Sequence, residues 1–434
     1  MAERFKENED CFTLSEAINE AKRCLHCKKP SCVTGCPIGN NIPDFIMELS
    51  KGNMGNAMAI INEKSNLPAI CGRVCPHEKQ CQGSCILGVK GRPVEIGKLE
   101  RFIADFDSSM NLTREKIPQK DRGRVAVIGS GPAGLTVAGD LSRMGFAVTI
   151  FESQSEAGGV LMYGIPQYRL PKEIVRKEIK KIAALGVDFQ LNTPVGKALT
   201  VDDLVARGFD AIFIGTGTAL PKSLDIPGVD FQGVVQATHL LHVCNSYNQG
   251  YVGKDKLPVG EGERVVVLGC GNVAIDAART SLRMGAKSVT IAYRKTEAQM
   301  PANRSEYEEA LSEGVEFLWK RVPLEVIGDG AGKVIGIKVD TPEGEQIIDC
   351  DRVCLAVGQR PADLIVSTTS GIETDSNGYV IVKERPFGMT TRKGVFAAGD
   401  VVHRPQTVVM AVKVAKQTAI GIAQYIDAIK LLEL

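Results

Sequence analysis

The sequence has no excess of charge of either sign, since 52 Lys and Arg residues stand against 51 Asp and Glu residues. This even balance argues against a global electric field that would attract nucleic acid or an anionic membrane. No apolar run reaches the roughly 18 residues that a membrane-spanning helix needs. The start, MAERFKENEDCF, also lacks the apolar core of a signal peptide. We therefore expect a cytoplasmic protein that binds neither nucleic acid nor a membrane.

Patterns typical of acid–base or nucleophilic catalysis are missing as well. The five histidines show neither metal-ligand spacing nor a triad pattern; they are His26, His77, His239, His242 and His403. Reactions that transfer hydride or electrons between bound cofactors need positioning more than a catalytic side chain. We therefore predict no catalytic side chain, and we expect cofactors to carry the chemistry.

Cysteine, in contrast, is abundant and clustered. Eight of the 13 cysteines lie between residues 24 and 85, namely Cys24, Cys27, Cys32, Cys36, Cys71, Cys75, Cys81 and Cys85. In a reducing compartment such clustering indicates metal ligands more than disulfides. The first set, C-x2-C-x4-C-x3-C-P, is close to the ferredoxin pattern, and eight cysteines suffice for two [4Fe–4S] clusters. Zinc, whose cysteine pairs are usually separated by long loops, and structural cysteines without a ligand are the alternatives.

The chain changes character near its first quarter. Residues 1–115 are predicted to form an α-helical domain with two [4Fe–4S] clusters, and the polar stretch 107–123 is interpreted as a linker. From Arg124 onward, Val- and Ile-rich runs alternate with helical stretches, which is typical of a parallel sheet. Two such units, 124–152 and 264–294, resemble each other and predict two nucleotide sites.

The first unit contains the motif GSGPAG directly after the apolar run VAVI. The loop residues are Gly129, Gly131, Pro132, Ala133 and Gly134. Such a loop turns tightly, lets the backbone approach a pyrophosphate and presents the N–H groups of a helix N-terminus. Glu152 ends the next strand, where we expect it to accept hydrogen bonds from a ribose hydroxyl.

The second unit carries GCGNVA, with Gly269, Gly271, Asn272 and Val273 as candidate nucleotide contacts. Its second strand ends in Arg294 and Lys295 instead of an acid, and Arg304 follows farther on. Because an arginine can bind a 2′-phosphate that an acid would repel, we predict NADPH over NADH. A solvated basic strand end is the alternative interpretation.

A third stretch, TRKGVFAAGDVV (391–402), ends a strand on Gly399 and Asp400. Many flavoproteins with two dinucleotide-binding domains resemble it, and there the aspartate holds the ribityl–pyrophosphate region of FAD. A helix is expected to begin near Thr407 or Val408, with its positive end toward the flavin. A simple helix cap is the alternative role for Asp400.

The predicted fold class is therefore an α/β flavoprotein with two dinucleotide-binding domains, preceded by the α-helical iron–sulfur domain. The Rossmann-like FAD domain comprises residues 116–235 and 375–434, and the NADPH domain, residues 236–374, is inserted into it.

The chain resembles the small-subunit family of bacterial NADPH-dependent glutamate synthase. That family includes the large subunit of NADH-dependent ferredoxin:NADP+ oxidoreductase and the electron-input part of dihydropyrimidine dehydrogenase. The most specific stretches are CGRVCPHEKQCQGSC (71–85), RPVEIGKLERF (92–102) and GGVLMYGIPQYRLPK (158–172). In this family the last stretch, here with Gly159 and Arg169, approaches the flavin and the nicotinamide.

The resemblance also implies a ligand set that spacing alone does not give. One cluster would be held by Cys24, Cys27, Cys32 and Glu100. The other would be held by Cys36, Cys75, Cys81 and Cys85. Cys71 would then be a bystander, whereas spacing alone would use it and leave Glu100 as a solvated helix residue.

We accordingly expect an oxidoreductase subunit that exchanges hydride between NADPH and FAD. Single electrons would pass through the two clusters to or from iron–sulfur or flavin partner subunits, with ferredoxin reached through the complex. The favoured setting is a flavin-based electron-bifurcating ferredoxin/NAD/NADP transhydrogenase. The alternatives are the small subunit of NADPH-dependent glutamate synthase, the electron-input subunit of dihydropyrimidine dehydrogenase, and a non-catalytic redox scaffold. The intact nucleotide loops and cysteines argue against the scaffold.

Overall fold

The computed structural model describes residues 2–7, 11–113 and 115–432. The chain divides into two compact units. The larger unit comprises Glu7–Met162, Arg169–Ala219 and Arg360–Leu434. The smaller unit comprises Met1–Lys6, Tyr163–Tyr168 and Leu220–Gln359.

The N-terminal part of the larger unit is helical, as predicted. Its helices are α1 (Leu14–Ala21), α2 (Ser31–Gly35), α3 (Ile42–Ser50), α4 (Met54–Asn62), α5 (Pro68–Val74) and α6 (Ile96–Met110), with 3-10 turns at His77–Lys79 and Ile86–Val89. Helix α1 begins with a capping box in which Thr13 and Glu16 bond each other's backbone amide. Phe45, Leu49 and Leu99 form part of the apolar core between the helices. Helix α6 continues to Met110, so the predicted linker begins too early.

The nucleotide-binding part of the larger unit begins after this helical region. Its first elements are β1 (Arg124–Ile128), α7 (Pro132–Arg143), β2 (Ala147–Phe151), α8 (Val160–Tyr163), α9 (Lys172–Ala184), β3 (Asp188–Gln190), α10 (Val201–Ala206) and β4 (Ala211–Ile214). Strands β1, β2, β3 and β4 pair in parallel. Every residue of β4 is buried, as expected for the central strand of a sheet covered on both faces.

The smaller unit contains the second nucleotide-binding motif. Its elements are β5 (Leu220–Pro221), β6 (Val234–Gln236), α11 (Ala237–Asn248), β7 (Arg264–Leu268), α12 (Asn272–Met284), β8 (Ser288–Tyr293), α13 (Arg304–Ser312), β9 (Glu316–Trp319), β10 (Val322–Gly328), β11 (Val334–Thr341), β12 (Gly344–Asp349), β13 (Arg352–Leu355) and β14 (Gln359–Arg360). A parallel sheet has the order β6-β13-β7-β8-β9. Strands β10, β11 and β12 form an antiparallel sheet, and β5 pairs with β14.

The chain then returns to the larger unit through α14 (Leu364–Ser367), β15 (Val382–Glu384), β16 (Phe387–Thr390), β17 (Val395–Ala397) and α15 (Val408–Leu432). These strands complete a seven-stranded sheet of order β15-β16-β17-β4-β1-β2-β3. One sheet thus takes strands from both sides of the smaller unit in sequence. The predicted fold class is confirmed, whereas the residue boundaries of the domains stay a prediction. In the described ranges, no helix is both long and apolar enough to cross a bilayer.

The short segment Tyr163–Tyr168 packs with the smaller unit although its neighbours in sequence belong to the larger one. The ring of Tyr168 lies 3.9 Å from the guanidinium carbon of Arg283 and 4.8 Å from that of Arg279. Tyr163 stacks on His242 with ring centroids 4.8 Å apart. Cation–π and ring contacts therefore hold this segment.

Candidate functional site

The first glycine loop has the geometry that a pyrophosphate requires. Gly129 has a φ of 94°, in the left-handed region that favours glycine. A Cβ on Gly134 would lie 2.0 Å from the carbonyl oxygen of Gly129, so this glycine lets α7 approach β1 closely. A Cβ on Gly131, the N-cap of α7, would have no neighbour within 4 Å. The space before Pro132 and Ala133, the first residues of the helix, is thus open to an anion.

Glu152 follows β2 and is 5% exposed. Its Oε2 accepts hydrogen bonds from the backbone N–H and the hydroxyl of Ser130, at 3.0 and 2.5 Å. Its Oε1 accepts from the backbone N–H of Gln154 at 2.9 Å and from the Ser153 hydroxyl at 3.2 Å. Protein donors therefore occupy the carboxylate, and a ribose contact requires the Ser153 hydroxyl to turn away. Sequence reasoning missed Ser130, whose place between two loop glycines was the available signal.

Gly399, two residues after β17, lies beside the same loop. A Cβ on Gly399 would be 3.1 Å from the Cβ of Ala133. Asp400 accepts a hydrogen bond from the backbone N–H of Gln406 at 3.3 Å, and burial raises the pKa of Asp400 to about 6. The Thr407 hydroxyl is buried without a hydrogen-bond partner among the described residues, directly before α15 begins at Val408 as predicted. The unsatisfied Thr407 hydroxyl and the buried Asp400 carboxyl fit a ligand rich in hydroxyls.

The first residues of the stretch 158–172 contact the first glycine loop. The backbone N–H of Gly158 donates to the Ser130 hydroxyl at 2.9 Å. A Cβ on Gly159 would lie 3.0 Å from the Cα of Gly131. Half-buried Arg169 is the residue at which the chain re-enters the larger unit. The structure thus brings Gly159 to the first glycine loop, and the role of Arg169 stays a prediction.

The second glycine loop repeats this geometry in the smaller unit. A Cβ on Gly269 would lie 2.5 Å from the carbonyl oxygen of Ala356, and a Cβ on Gly271 would have no neighbour within 4 Å. Asn272 begins α12, and its Oδ1 accepts a hydrogen bond from the backbone N–H of Asn303 at 3.0 Å. Val273, the next helical residue, is 40% exposed. The open helix N-terminus fits a second pyrophosphate.

The predicted basic residues differ in their surroundings. Arg294 and Lys295 directly follow β8 and are exposed. Arg304 begins α13, and its guanidinium pairs with Glu297 at 2.6 Å and with Glu308 at 2.8 Å. Arg294 and Lys295 are therefore available to a 2′-phosphate, while the charge of Arg304 is largely compensated.

Four cysteines surround one cleft in the helical region, and they are Cys24, Cys27, Cys32 and Cys85. The cleft is partly open to solvent, and apart from the cysteines its lining is almost all apolar. Burial raises the pKa of the Cys32 thiol to about 11. Among the described residues, no three His, Cys, Asp or Glu side chains converge on a point as ligands of one metal ion do. The thiols fit an iron–sulfur cluster, which is larger and supplies the positive charge that thiolates need.

A second group gathers around Glu100, which is 8% exposed on α6. Burial, and then the nearby Glu178 carboxylate, raise the pKa of Glu100 to about 8. The pKa values of the Cys36 and Cys81 thiols are raised mainly by burial, and that of Cys75 mainly by its hydrogen bond with the Cys71 thiol; the nearby Glu100 carboxylate adds to the shift in each case. The thiols of Cys71 and Cys75 are hydrogen-bonded to each other. Buried acidic groups of this kind fit a cluster whose iron offsets their charge.

This grouping differs in two places from the ligand division that the resemblance implies, and the division itself stays a prediction. Cys85 lines the same cleft as Cys24, Cys27 and Cys32, whereas Glu100 lies with the group of Cys36. Two close approaches explain the exchange: a Cβ on Gly35 would lie 2.3 Å from the Ser84 hydroxyl, and a Cβ on Gly72 would lie 2.6 Å from the backbone nitrogen of Arg101. Each glycine sits between two cysteines of one motif, CVTGC or CGRVC.

Comparisons with known proteins show the families to which the two parts of the chain are similar. Residues 1–112 match the family model of the dihydropyrimidine dehydrogenase domain II with a 4Fe-4S cluster, and residues 123–415 match that of the pyridine nucleotide-disulphide oxidoreductases. The chain is 36% identical over 445 residues to the glutamate synthase (NADPH) small chain of Escherichia coli, covering 98% of this chain and 94% of that protein. It is 33% identical over 416 residues to the NAD-dependent dihydropyrimidine dehydrogenase subunit PreT of Salmonella typhimurium, covering 96% of each.

The fold also recurs in a solved structure. FprA from Mycobacterium tuberculosis, in complex with NADPH, superposes with a TM-score of 0.59 at 19% identity, covering 72% of this chain and 86% of that chain. At this identity the likeness concerns the fold alone. The predicted family is confirmed, and the predicted cofactors FAD, [4Fe–4S] iron–sulfur and NADPH are those of the family. The chain belongs to the pyridine nucleotide-disulphide oxidoreductase family, together with the glutamate synthase small chains, and is an NAD(P)H-dependent flavin oxidoreductase with an N-terminal iron–sulfur domain.

Proposed function

We propose that this chain exchanges hydride between NADPH and FAD and passes single electrons through two [4Fe–4S] clusters to or from a partner subunit. The observation that carries the proposal is the presence, in one chain, of two open glycine loops and two groups of candidate cluster ligands. When bound, the flavin takes electrons in pairs and the clusters carry them singly. The residues of the chain bind, orient and shield these groups.

The proposed ligands follow the two groups in space. One cluster is held by Cys24, Cys27, Cys32 and Cys85, and the other by Cys36, Cys75, Cys81 and Glu100. Cys71 is the alternative fourth ligand of the second group, because its thiol contacts that of Cys75. Iron per chain should fall in Glu100→Ala and stay unchanged in Cys71→Ala. The reverse result would make Cys71 the ligand.

The order of the two clusters follows from contacts within the larger unit. Glu100 lies close enough to Glu178 of α9 to feel its charge, and α9 belongs to the nucleotide-binding part. Asn66, just before α5, donates to the Thr136 carbonyl oxygen at 3.1 Å and to Asp140 at 2.8 Å on α7. The group around Glu100 is therefore proposed as the one next to the flavin. The cleft with Cys24 is the outer one.

The outer cleft has a surface suited to a partner. Apolar side chains of the cleft lining and of the adjoining turn Ile86–Val89 are exposed, namely Leu25 (61%), Ile86 (54%) and Val89 (77%). Exposed lysines accompany them at positions 28, 29 and 90. We call these six residues the cleft face. An apolar patch bordered by positive charge favours an electron-transfer subunit with an acidic surface around its own redox group. Lys28→Glu with Lys29→Glu should weaken binding of co-purified subunits, whereas exposed Lys383→Glu should not.

The hydride step has a direct test. Stopped-flow mixing of the anaerobic FAD-loaded chain with NADPH should bleach the flavin absorbance, and NADH should bleach it more slowly. The basic pair Arg294 and Lys295, free of carboxylate partners among the described residues, supports this preference. Full FAD occupancy without bleaching would overturn the proposal and favour the redox scaffold.

For the complex, we favour a flavin-based bifurcating ferredoxin/NAD/NADP transhydrogenase in the cytoplasm. Its relatives are a small chain and a subunit, which supports a role together with partner subunits. The 13 unbridged cysteines suit a reducing compartment. The native complex, purified anaerobically, should couple NADPH oxidation to simultaneous reduction of NAD+ and ferredoxin. Co-elution with a glutamate-forming or a pyrimidine-reducing subunit would instead support one of the other two settings.

A further inference from the structure

Four basic residues lie together at the carboxyl edge of the parallel sheet in the smaller unit. Arg294 and Lys295 follow β8, while Lys320 and Arg321 follow the neighbouring β9. The backbone N–H of Lys320 donates to the carbonyl oxygen of Lys295 at 3.0 Å, and that of Arg321 donates to the carbonyl oxygen of Tyr293 at 2.9 Å. These two hydrogen bonds hold the second basic pair beside the first.

The guanidinium of Arg321 is oriented and incompletely satisfied. Its Nη1 donates to the carbonyl oxygen of Trp319 at 2.9 Å, which fixes the group at the strand end. Its Nε is buried and has no hydrogen-bond partner among the described residues. A buried N–H without an acceptor costs free energy that a bound anion can recover.

The charges around Arg321 also favour an anion. In the part of the chain that the structure describes, no carboxylate forms an ion pair with Arg321, Lys320, Arg294 or Lys295. Arg304, in contrast, has two glutamate partners. An arginine presents a fork of N–H donors that matches phosphate geometry.

The sheet order places this group where a 2′-phosphate would lie. Strand β7 leads into the glycine loop, β8 is next to it, and β9 flanks β8 on the other side. In dinucleotide-binding units the adenine ribose lies beyond the end of the second strand, here β8. The end of β9 therefore borders the ribose on the side away from the glycine loop.

We propose that Arg321, assisted by Lys320, determines the preference for NADPH by binding the 2′-phosphate together with Arg294 and Lys295. This inference rests on the proposed use of NADPH. It adds to the 2′-phosphate subsite a residue 27 positions after Arg294, the basic residue that the motif identifies.

The test measures binding of two probes to the full, FAD-loaded chain by isothermal titration calorimetry. The probes are 2′,5′-ADP and 5′-AMP, which differ by the 2′-phosphate. Arg321→Ala should weaken 2′,5′-ADP binding about tenfold, which corresponds to about 1.4 kcal/mol, and leave the Kd for 5′-AMP within about twofold. Arg321→Lys should fall between, because it keeps the charge and loses the fork. Lys287→Ala, an exposed lysine just before β8 at the opposite edge, should change neither Kd.

Two results would overturn the inference in different ways. If wild type prefers 2′,5′-ADP and Arg321→Ala keeps that preference, Arg321 is not part of the subsite, although NADPH use stands. Equal weakening of both probes would likewise contradict the subsite, because it would indicate a general structural effect. If wild type binds both probes equally, the proposed NADPH use itself fails, and this inference fails with it.

Discussion

Replacing Gly134 by alanine should weaken FAD binding by a predictable amount. The added Cβ would lie 2.0 Å from the Gly129 carbonyl oxygen, and real Cβ contacts are essentially never under 3.0 Å. Helix α7 and the loop must therefore separate by about 1 Å, and overpacking of this kind costs about 1–3 kcal/mol. If the loop relaxes when empty, the Kd for FAD should rise about 5- to 150-fold. Flavin content after gel filtration and FAD titration of the apoprotein measure this.

Ala274→Gly is the matched control, since Ala274 occupies the same position in the second loop and is fully buried. Removing its Cβ should destabilise α12 by roughly 0.5–1 kcal/mol and leave FAD content unchanged. Wild-type FAD affinity in Gly134→Ala, or equal flavin loss in both variants, would refute the steric argument.

Two further predictions concern packing and pH. Gly72→Ala would put a Cβ 2.6 Å from the backbone nitrogen of Arg101. The variant should therefore bind less iron, and its free energy of unfolding should fall by about 1–3 kcal/mol. Unchanged iron content would contradict this. Burial opposes ionisation of Glu313, yet hydrogen bonds from Arg283 and Arg279 hold its pKa at about 2, below the 4.5 of an unperturbed glutamate. Its stabilisation is therefore present above pH 4.5 and lost as pH falls toward 2. Urea unfolding of Glu313→Gln should depend less on pH in this range than that of wild type, and equal dependence would refute the account.

The nucleotide loops could be predicted because their chemistry is local. A strand, three closely spaced small residues and a helix fix both the turn and the open anion site within a few positions. Helix α15 begins at Val408, as predicted, although ten residues, including a 3-10 turn at Gly399–Val401, separate it from the end of β17 at Ala397.

The cluster ligands could not be divided from the sequence, because the division depends on contacts between segments far apart in the chain. Ser84 reaches α2 only because residue 35 has no side chain, and that contact brings Cys85 into the first group. The nucleotide-binding motif did not identify Arg321 for a similar reason, since this residue follows β9, the next strand of the sheet. The ion pairs of Arg304 depend on side-chain placement that spacing does not report.

The central claim, two clusters with the ligands proposed above, has one direct measurement. Single Cys→Ser variants at positions 32, 85 and 36 are reduced anaerobically with NADPH, and their iron–sulfur signals are recorded by electron paramagnetic resonance. The account predicts that Cys85→Ser perturbs the same signal as Cys32→Ser, and that Cys36→Ser perturbs the other. If Cys85→Ser matched Cys36→Ser instead, the division of ligands proposed here would be contradicted, and Cys85 would belong with Cys36 as the resemblance implies.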